Sequence, residues 1–220
     1  MIDSIEHMYK IIDFIRMGTQ SAIAECLPAL HEGAILCVPT DTVYGLICAV
    51  NATASIQRLA DLKRRPPDKP FALFVPSQRF LEDEPFLPCR TAQQLADHFW
   101  PGPLTLVVPA APGCSCAHEG TVGVRAPAGD FIRALLNRWD GWLVNTSLNR
   151  SGDSPVWSIH PEMEILREVD MVIDAGELPV KMPSAVVDCT VDPPRVLRAG
   201  DISQTQIDEI LSTADEEIRI

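Results

Sequence analysis

The 220 residues are enough for one sizeable buried core, at 46% hydrophobic and an ordinary 22% charged. With 18 Lys and Arg against 30 Asp and Glu, the formal charge of −12 argues against a general nucleic-acid binder, whose affinity rests on many phosphate contacts. The sequence has no apolar run long enough to span a bilayer and no basic start followed by a continuous apolar stretch, so the expectation is no membrane contact, no signal peptide and a cytoplasmic address.

In chain order, Ile5, Met8, Ile11, Ile12 and Ile15 stand at helical spacing behind a possible N-cap at Ser4, predicting a helix over 4 to 17. A second helix is expected at about 20 to 32, ending at Gly33, with Pro28 able to kink it. The apolar run from Ala34 to Val38 reads as a buried strand, and a helix follows from about 53 to 63, ended by Pro66 and Pro67. FALFV (71 to 75) is the next strand, then an acidic, proline-bearing surface connection over 76 to 90, a helix at 91 to 99 and the strand LTLVVP (104 to 109). Further strands are expected at 121 to 126, 142 to 145, 170 to 174, 185 to 189 and 195 to 198, and helices at 129 to 138, 160 to 168 and 203 to 211. Strands alternating with helices predict an α/β layered domain, and the close spacing of the last strands predicts that part of the sheet is antiparallel.

Four polar segments stand beside predicted strands, where open α/β sheets build their sites: PTDTVYGL (39 to 46), KRRPPDKP (63 to 70), NTSLNRSG (145 to 152) and the late pair PSAVVD (183 to 188) and VLRAG (196 to 200). Phosphate loops of the GxxxxGK[ST] kind, GxGxxG, GxSxG and HExxH are all absent, so any phosphate is held by discrete side chains and exposed amides. Four of the scarce cations, Lys63, Arg64, Arg65 and Lys69, fall within seven residues. If the helix ends by Lys63, extended backbone ahead of Pro66 points Lys63 and Arg65 at one ligand and Arg64 elsewhere; the alternative is a solvated helix end whose cations complement the dipole. Arg125 and Arg198 each end an apolar strand, either as an exposed strand end or as an arginine beside a buried strand, which usually needs an anionic partner. Cys37, Cys48 and Cys189 read as small buried hydrophobes, and CSCAH (114 to 118) as a loop with reduced thiols, since no second Cys or His pair lies at a zinc spacing. Residue chemistry alone reaches an anion-binding α/β domain.

Taken together, the segments resemble the YrdC-like domain of the threonylcarbamoyl-AMP synthase family. PTDTVYGL is similar to that family's PTETVYGL, KRRPPDKP to KxRPxxKP and NTSLNRSG to SANxSG; PGPLTLVV, VGVRAP, PSAVVD and VLRAG follow in the family's order, over about Ser21 to Leu211. The resemblance implies a single α/β domain, a twisted mixed parallel/antiparallel sheet with flanking helices and a concave, positively charged face. It places the catalytic domain at 19 to 220 behind an N-terminal helical extension, 1 to 18. It implies synthesis of threonylcarbamoyl-adenylate from L-threonine, bicarbonate and ATP, with pyrophosphate released and magnesium carried in by the nucleotide. The product is the donor for N6-threonylcarbamoyladenosine in ANN-decoding tRNA. A separate transferase then receives it, and direct tRNA binding by this chain is weak or absent. By the resemblance, Lys63 and Arg65 are the catalytic pair. Arg65, Lys69, Thr121, Asn149 and Arg198 hold ATP, and Thr42, Arg125, Ser147 and Ser184 hold threonine, with no resident metal. Departures from the pattern are Asp41 for Glu, Leu148 for the small Ala of SAN, and Phe74 where longer members carry a His. Leu148, bulky beside the expected nucleotide site, resembles the YciO-like branch, so a related carbamoyl-adenylate handler and a silent nucleotide- or RNA-binding module stand as alternatives.

Overall fold

The computed structural model describes residues 9–64, 70–114, 116–150 and 152–217, with side chains to residue 212. In chain order they form β1 (Lys10–Asp13), α1 (Phe14–Met17), α2 (Thr19–His31), β2 (Leu36–Val38), β3 (Gly45–Ala49), α3 (Thr53–Lys63), β4 (Ala72–Phe74) and α4 (Arg90–Phe99). Then follow β5 (Leu104–Pro109), β6 (Thr121–Arg125), α5 (Asp130–Leu136), β7 (Leu143–Ser147), β8 (Met171–Asp174), β9 (Ala185–Asp188), β10 (Arg195–Arg198) and α6 (Gln204–Glu217). Among the described residues the strands make one open sheet in the order β1-β8-β2-β3-β7-β4-β6-β5-β9-β10. Pairs β1/β8, β2/β8, β4/β6 and β5/β9 are parallel and the rest antiparallel, so the mixed α/β sheet is as expected.

Alternation along the strands sorts the core into two layers. Leu36, Val38, Ile47, Ala49, Leu143 and Phe74 pack on one face with Ala22, Ile23, Cys26 and Leu30 of α2 and Phe131, Ile132 and Leu135 of α5. Their neighbours Cys37, Leu46, Cys48, Leu73, Val124 and Val144 point the other way, against Leu59 of α3, Ala92, Leu95 and Ala96 of α4 and Ile207 of α6. α2 and α5 cover only part of the first face. The uncovered part, over β7, β4, β6, β5 and β9, is where polar side chains gather.

Three expectations are corrected. The helix over 4 to 17 is instead strand β1 followed by the single turn α1, with residues 1–8 outside the described residues. Ile12 is buried while Ile11 is 43% exposed, the alternation of a half-buried edge strand, and Asp13 caps α1 by accepting from Arg16 N at 3.0 Å. A fully buried strand, Gly45–Ala49, occupies what reads as the end of a polar motif. Only Glu164–Glu168 of the expected helix at 160 to 168 is helical, as a short 3-10 turn.

Candidate active site

The open face of the sheet bounds a cavity of about 670 Å³ lined by Lys63, Arg125 and Arg198 among its charged side chains. Strand pairing arranges its floor in rows. Asn145 of β7 pairs with Ala72 of β4, which pairs with Gly123 of β6, which pairs with Val107 of β5. One step along the strands, Phe74 pairs with Arg125. One step the other way stand Ser147 and Thr121, still on the same face. The centre of the floor carries its smallest residues, Ala72 and Gly123, packed so that a Cβ on Gly123 would come within 3.3 Å of the Ala72 Cβ.

Arg125 is held from three sides. Its Nε donates to the Gly102 carbonyl at 2.9 Å, Nη1 to Thr42 Oγ1 at 3.3 Å and Nη2 to Asp41 Oδ2 at 2.7 Å. Burial pulls its pKa down, and the neighbouring Asp41 carboxylate pushes it back up. The turn between β2 and β3 makes this possible: Thr40 Oγ1 accepts from the backbone N–H groups of Thr42 and Val43, which fixes Asp41 and Thr42 at the end of β6. The Phe74 ring lies under the guanidinium, 5.9 Å from its centroid. A guanidinium carries five N–H groups, and these contacts use three of them.

Lys63 is the last residue of α3 and is almost fully buried, at 2% exposure. Its Nζ donates to the carbonyls of Ser147, at 2.6 Å, and of Asn149, binding the helix end to the loop after β7. Asn149 Nδ2 reaches Arg150 O and Asp153 O, at 2.9 and 2.8 Å, leaving its buried Oδ1 without a partner. Arg64 does not line this cavity; it caps α3 in the left-handed conformation (φ 48°, ψ 43°) and not in the extended backbone expected there. Leu148 corrects another expectation: it is fully buried in the opposite core layer and does not line the cavity. Its bulk therefore faces away from the open face, as the strand alternation after Ser147 requires.

At the far wall, Ser184 precedes β9 and shares a 2.9 Å hydrogen bond with Thr105 Oγ1 of β5. Arg198 donates through Nε and Nη2 to the Ser184 carbonyl, at 3.0 and 2.9 Å, and through Nη2 to Ser184 Oγ at 3.1 Å. Thr121 donates its hydroxyl to His118 O at 3.0 Å.

Thr42, Lys63, Thr121, Arg125, Ser147, Asn149, Ser184 and Arg198, drawn from segments over 150 residues of chain, all line this one cavity. Arg65 and Lys69 lie outside the described residues. Thr40, Thr105 and Asn145 also line it, although sequence reasoning named none of them and marked only the polar segments that hold Thr40 and Asn145. Thr105 stands inside a strand between Leu104 and Leu106, and only the alternation of faces, counted back from Arg125, could have found it; Asn145 opens the polar segment 145 to 152, and the same alternation puts it on the face of Ser147.

The family model Sua5–YciO–YrdC, described as Telomere recombination, matches residues 28–200. The chain belongs to this family. That span contains the cavity residues from Thr40 to Arg198. A threonylcarbamoyl-AMP synthase of Pyrococcus abyssi is 33% identical over 195 residues, 87% of this chain and 56% of its own length. The human threonylcarbamoyl-AMP synthase is 29% identical over 185 residues, 80% of this chain and 66% of its own. The chain thus spans little more than half of the archaeal relative. The structure of Pyrococcus abyssi Sua5 complexed with L-threonine superposes with TM-score 0.76 at 30% identity, over 86% of this chain and 57% of that one. Escherichia coli YciO superposes with TM-score 0.77 over 90% of this chain and 97% of its own, at 24% identity, a likeness of fold.

Proposed function

We propose that this family member synthesises threonylcarbamoyl-adenylate from L-threonine, bicarbonate and ATP. The observation that carries the proposal is one cavity in which a fixed guanidinium (Arg125) and a loop-binding lysine (Lys63) face the same space. The relatives bearing the synthase name and the related structure complexed with L-threonine support it.

In this reading the threonine carboxylate takes the remaining N–H groups of Arg125, a planar fork suited to two oxygens. The amine nitrogen bonds to the carbon of bicarbonate with loss of water, giving a carbamate. A carbamate oxygen then attacks the α-phosphorus of ATP, and the α–β bridging oxygen leaves with pyrophosphate. Two anions meet in that step, so fixed positive charge lowers its barrier. Lys63 supplies it and is joined by Arg65 of the same motif. Lys69, Thr121, Asn149 and Arg198 take the nucleotide side, with the unfilled Asn149 Oδ1 an acceptor for a hydroxyl or amine of adenosine. Thr42, Ser147 and Ser184 complete the threonine side. Among the described residues no three His, Cys, Asp or Glu side chains gather to hold a metal, so in this reading magnesium enters on the triphosphate oxygens and water. The product passes to a transferase that modifies tRNA, and the cytoplasm is the compartment. No described helix is long and apolar enough to cross a membrane.

The test is pyrophosphate release from ATP with threonine and bicarbonate omitted in turn, and the nucleotide product weighed. Release that needs both, with an adenylate heavier than AMP by one threonylcarbamoyl group, is expected. Release without either co-substrate, or binding of ATP without turnover, overturns the proposal.

A further inference from the structure

Asn145 lies in β7, paired with Ile47 on one side and Ala72 on the other, and lines the cavity. Its Nδ2 is buried and has no hydrogen-bond partner. A buried amide donor without an acceptor is costly, and folded chains rarely keep one unless something else supplies the oxygen. The two other unpartnered amide and carboxylate atoms of this region, Asn149 Oδ1 and Asp41 Oδ1, are acceptors. Asn145 is the one that calls for an anion or a carbonyl.

The register says which oxygen. Same-face residues along a strand are about 6.6 Å apart. Phe74 and Arg125 share one row, which in the synthase reading is the carboxylate end of the cavity. The row holding Ser147, to which Lys63 is bonded, is two steps away and is the end where charge is to be neutralised. Between them runs Asn145, Ala72, Gly123 and Val107, in which Asn145 is the only polar side chain. An N-carboxylated amino acid anchored through its own carboxylate at Arg125 extends its new carboxyl group over that middle row. Ala72 and Gly123 line the cavity there with no side chain larger than a methyl group.

We infer that Asn145 is a substrate-binding residue whose amide N–H donates to an oxygen of the bicarbonate-derived carboxyl group, holding it between Arg125 and Lys63. The inference rests on the synthase reading above and names the residue that would recognise its smallest substrate. Asn145 takes no part in bond making. It orients the carbamate so that one oxygen stays free to attack phosphorus.

The experiment is the initial rate of pyrophosphate release against bicarbonate concentration, at saturating ATP and threonine, for wild type, Asn145→Ala and Asn145→Asp. Asn145→Ala is expected to raise the bicarbonate requirement roughly tenfold or more, as for a lost hydrogen bond to a charged group. Binding of ATP and of threonine, measured by calorimetry without bicarbonate, stays within about twofold, and the melting temperature does not fall, because Nδ2 has no protein partner to lose. Asn145→Asp, which sets a carboxylate against the carboxyl group, loses more than Asn145→Ala. An unchanged bicarbonate requirement in Asn145→Ala overturns the inference. So does a parallel loss of ATP and threonine binding with a lower melting temperature, the mark of a structural role. Wild type that turns over without bicarbonate overturns the synthase reading itself, and is distinguished from the other outcomes by the wild-type curve alone.

Discussion

Asp41 and Arg125 are 84 positions apart and meet at 2.7 Å, each with less than a tenth of its side chain exposed. Removing one partner of such a pair leaves a buried charge with nothing opposite it, which costs about 3–5 kcal/mol. Asp41→Ala is therefore expected to lower stability by that amount in urea unfolding. It should also weaken threonine binding, because the freed guanidinium loses the anchor that aims its fork. Lys63 and its neighbour behave oppositely. Lys63→Ala releases the loop carbonyls of Ser147 and Asn149 and, in the proposed function, removes the charge that offsets the meeting anions, so turnover should fall at least ~100-fold. Arg64 is exposed and left-handed, a conformation that favours glycine; Arg64→Gly should stabilise the fold by about 0.5–1 kcal/mol with turnover unchanged. Charge clustering made Lys63 legible in the sequence. The partner of Arg125 was not, because nothing local records a contact made across 84 residues.

At the scale of elements, the exit of β10 passes so close to the start of β9 that a Cβ on Gly200 would meet Ala185 N at 2.4 Å and Pro183 O at 2.8 Å. Relief requires the backbone on either side of Ser184 to move, and Arg198 is tied to Ser184. Gly200→Ala is thus expected to destabilise the protein by more than about 1 kcal/mol and to cut turnover, the first measured by thermal unfolding and the second by pyrophosphate release. Most elements were legible because their period and punctuation agree: α3 runs to Lys63 as its apolar spacing and the following prolines require, and β5 ends at Pro109. Two strands were not. In β1, Ile11 and Ile12 fit a helical spacing as well as a strand, and only the hydrogen bond from Lys10 N to Asp170 O and the pairing with β8 decide between them. In β3, GLICA carries both small and apolar residues without a β-branched run, and is a strand because it is buried on both faces between β2 and β7. Of the site, the loop residues could be read because motifs mark them. Thr105 could not, since a polar residue among apolar ones inside a strand is silent until the face it points to is known, and Asn145, though within a marked segment, had no role until its face was known.

For the molecule as a whole, burial holds four thiols protonated far above their ordinary range. Cys26 and Cys48 are pushed up to about 12, and Cys37 and Cys189 are raised as well. In the unfolded chain these groups lose their protons from about pH 9, while the folded protein keeps them. The unfolded state then binds fewer protons than the native one, so stability is full below pH 9 and falls as pH rises toward 12. Each thiol contributes up to about 1.4 kcal/mol per pH unit in that window. Urea midpoints should hold level to about pH 8 and drop by about pH 10, and replacing Cys26 and Cys48 with alanine should flatten the slope even where it lowers the midpoint.

β7 lies between β3 and β4, which do not pair with each other. A chain growing from its N-terminus has made Thr42, Lys63, Thr121 and Arg125 before it makes the strand that joins their two halves of the sheet. Until Leu143–Ser147 emerges from the ribosome, β3 and β4 present unpaired, apolar edges, the kind of surface that recruits chaperones or other nascent chains. The same strand that closes this seam carries Asn145 and Ser147 into the cavity, so during synthesis one strand joins both the halves of the sheet and the halves of the cavity floor, before β9 and β10 bring in the far wall with Ser184 and Arg198.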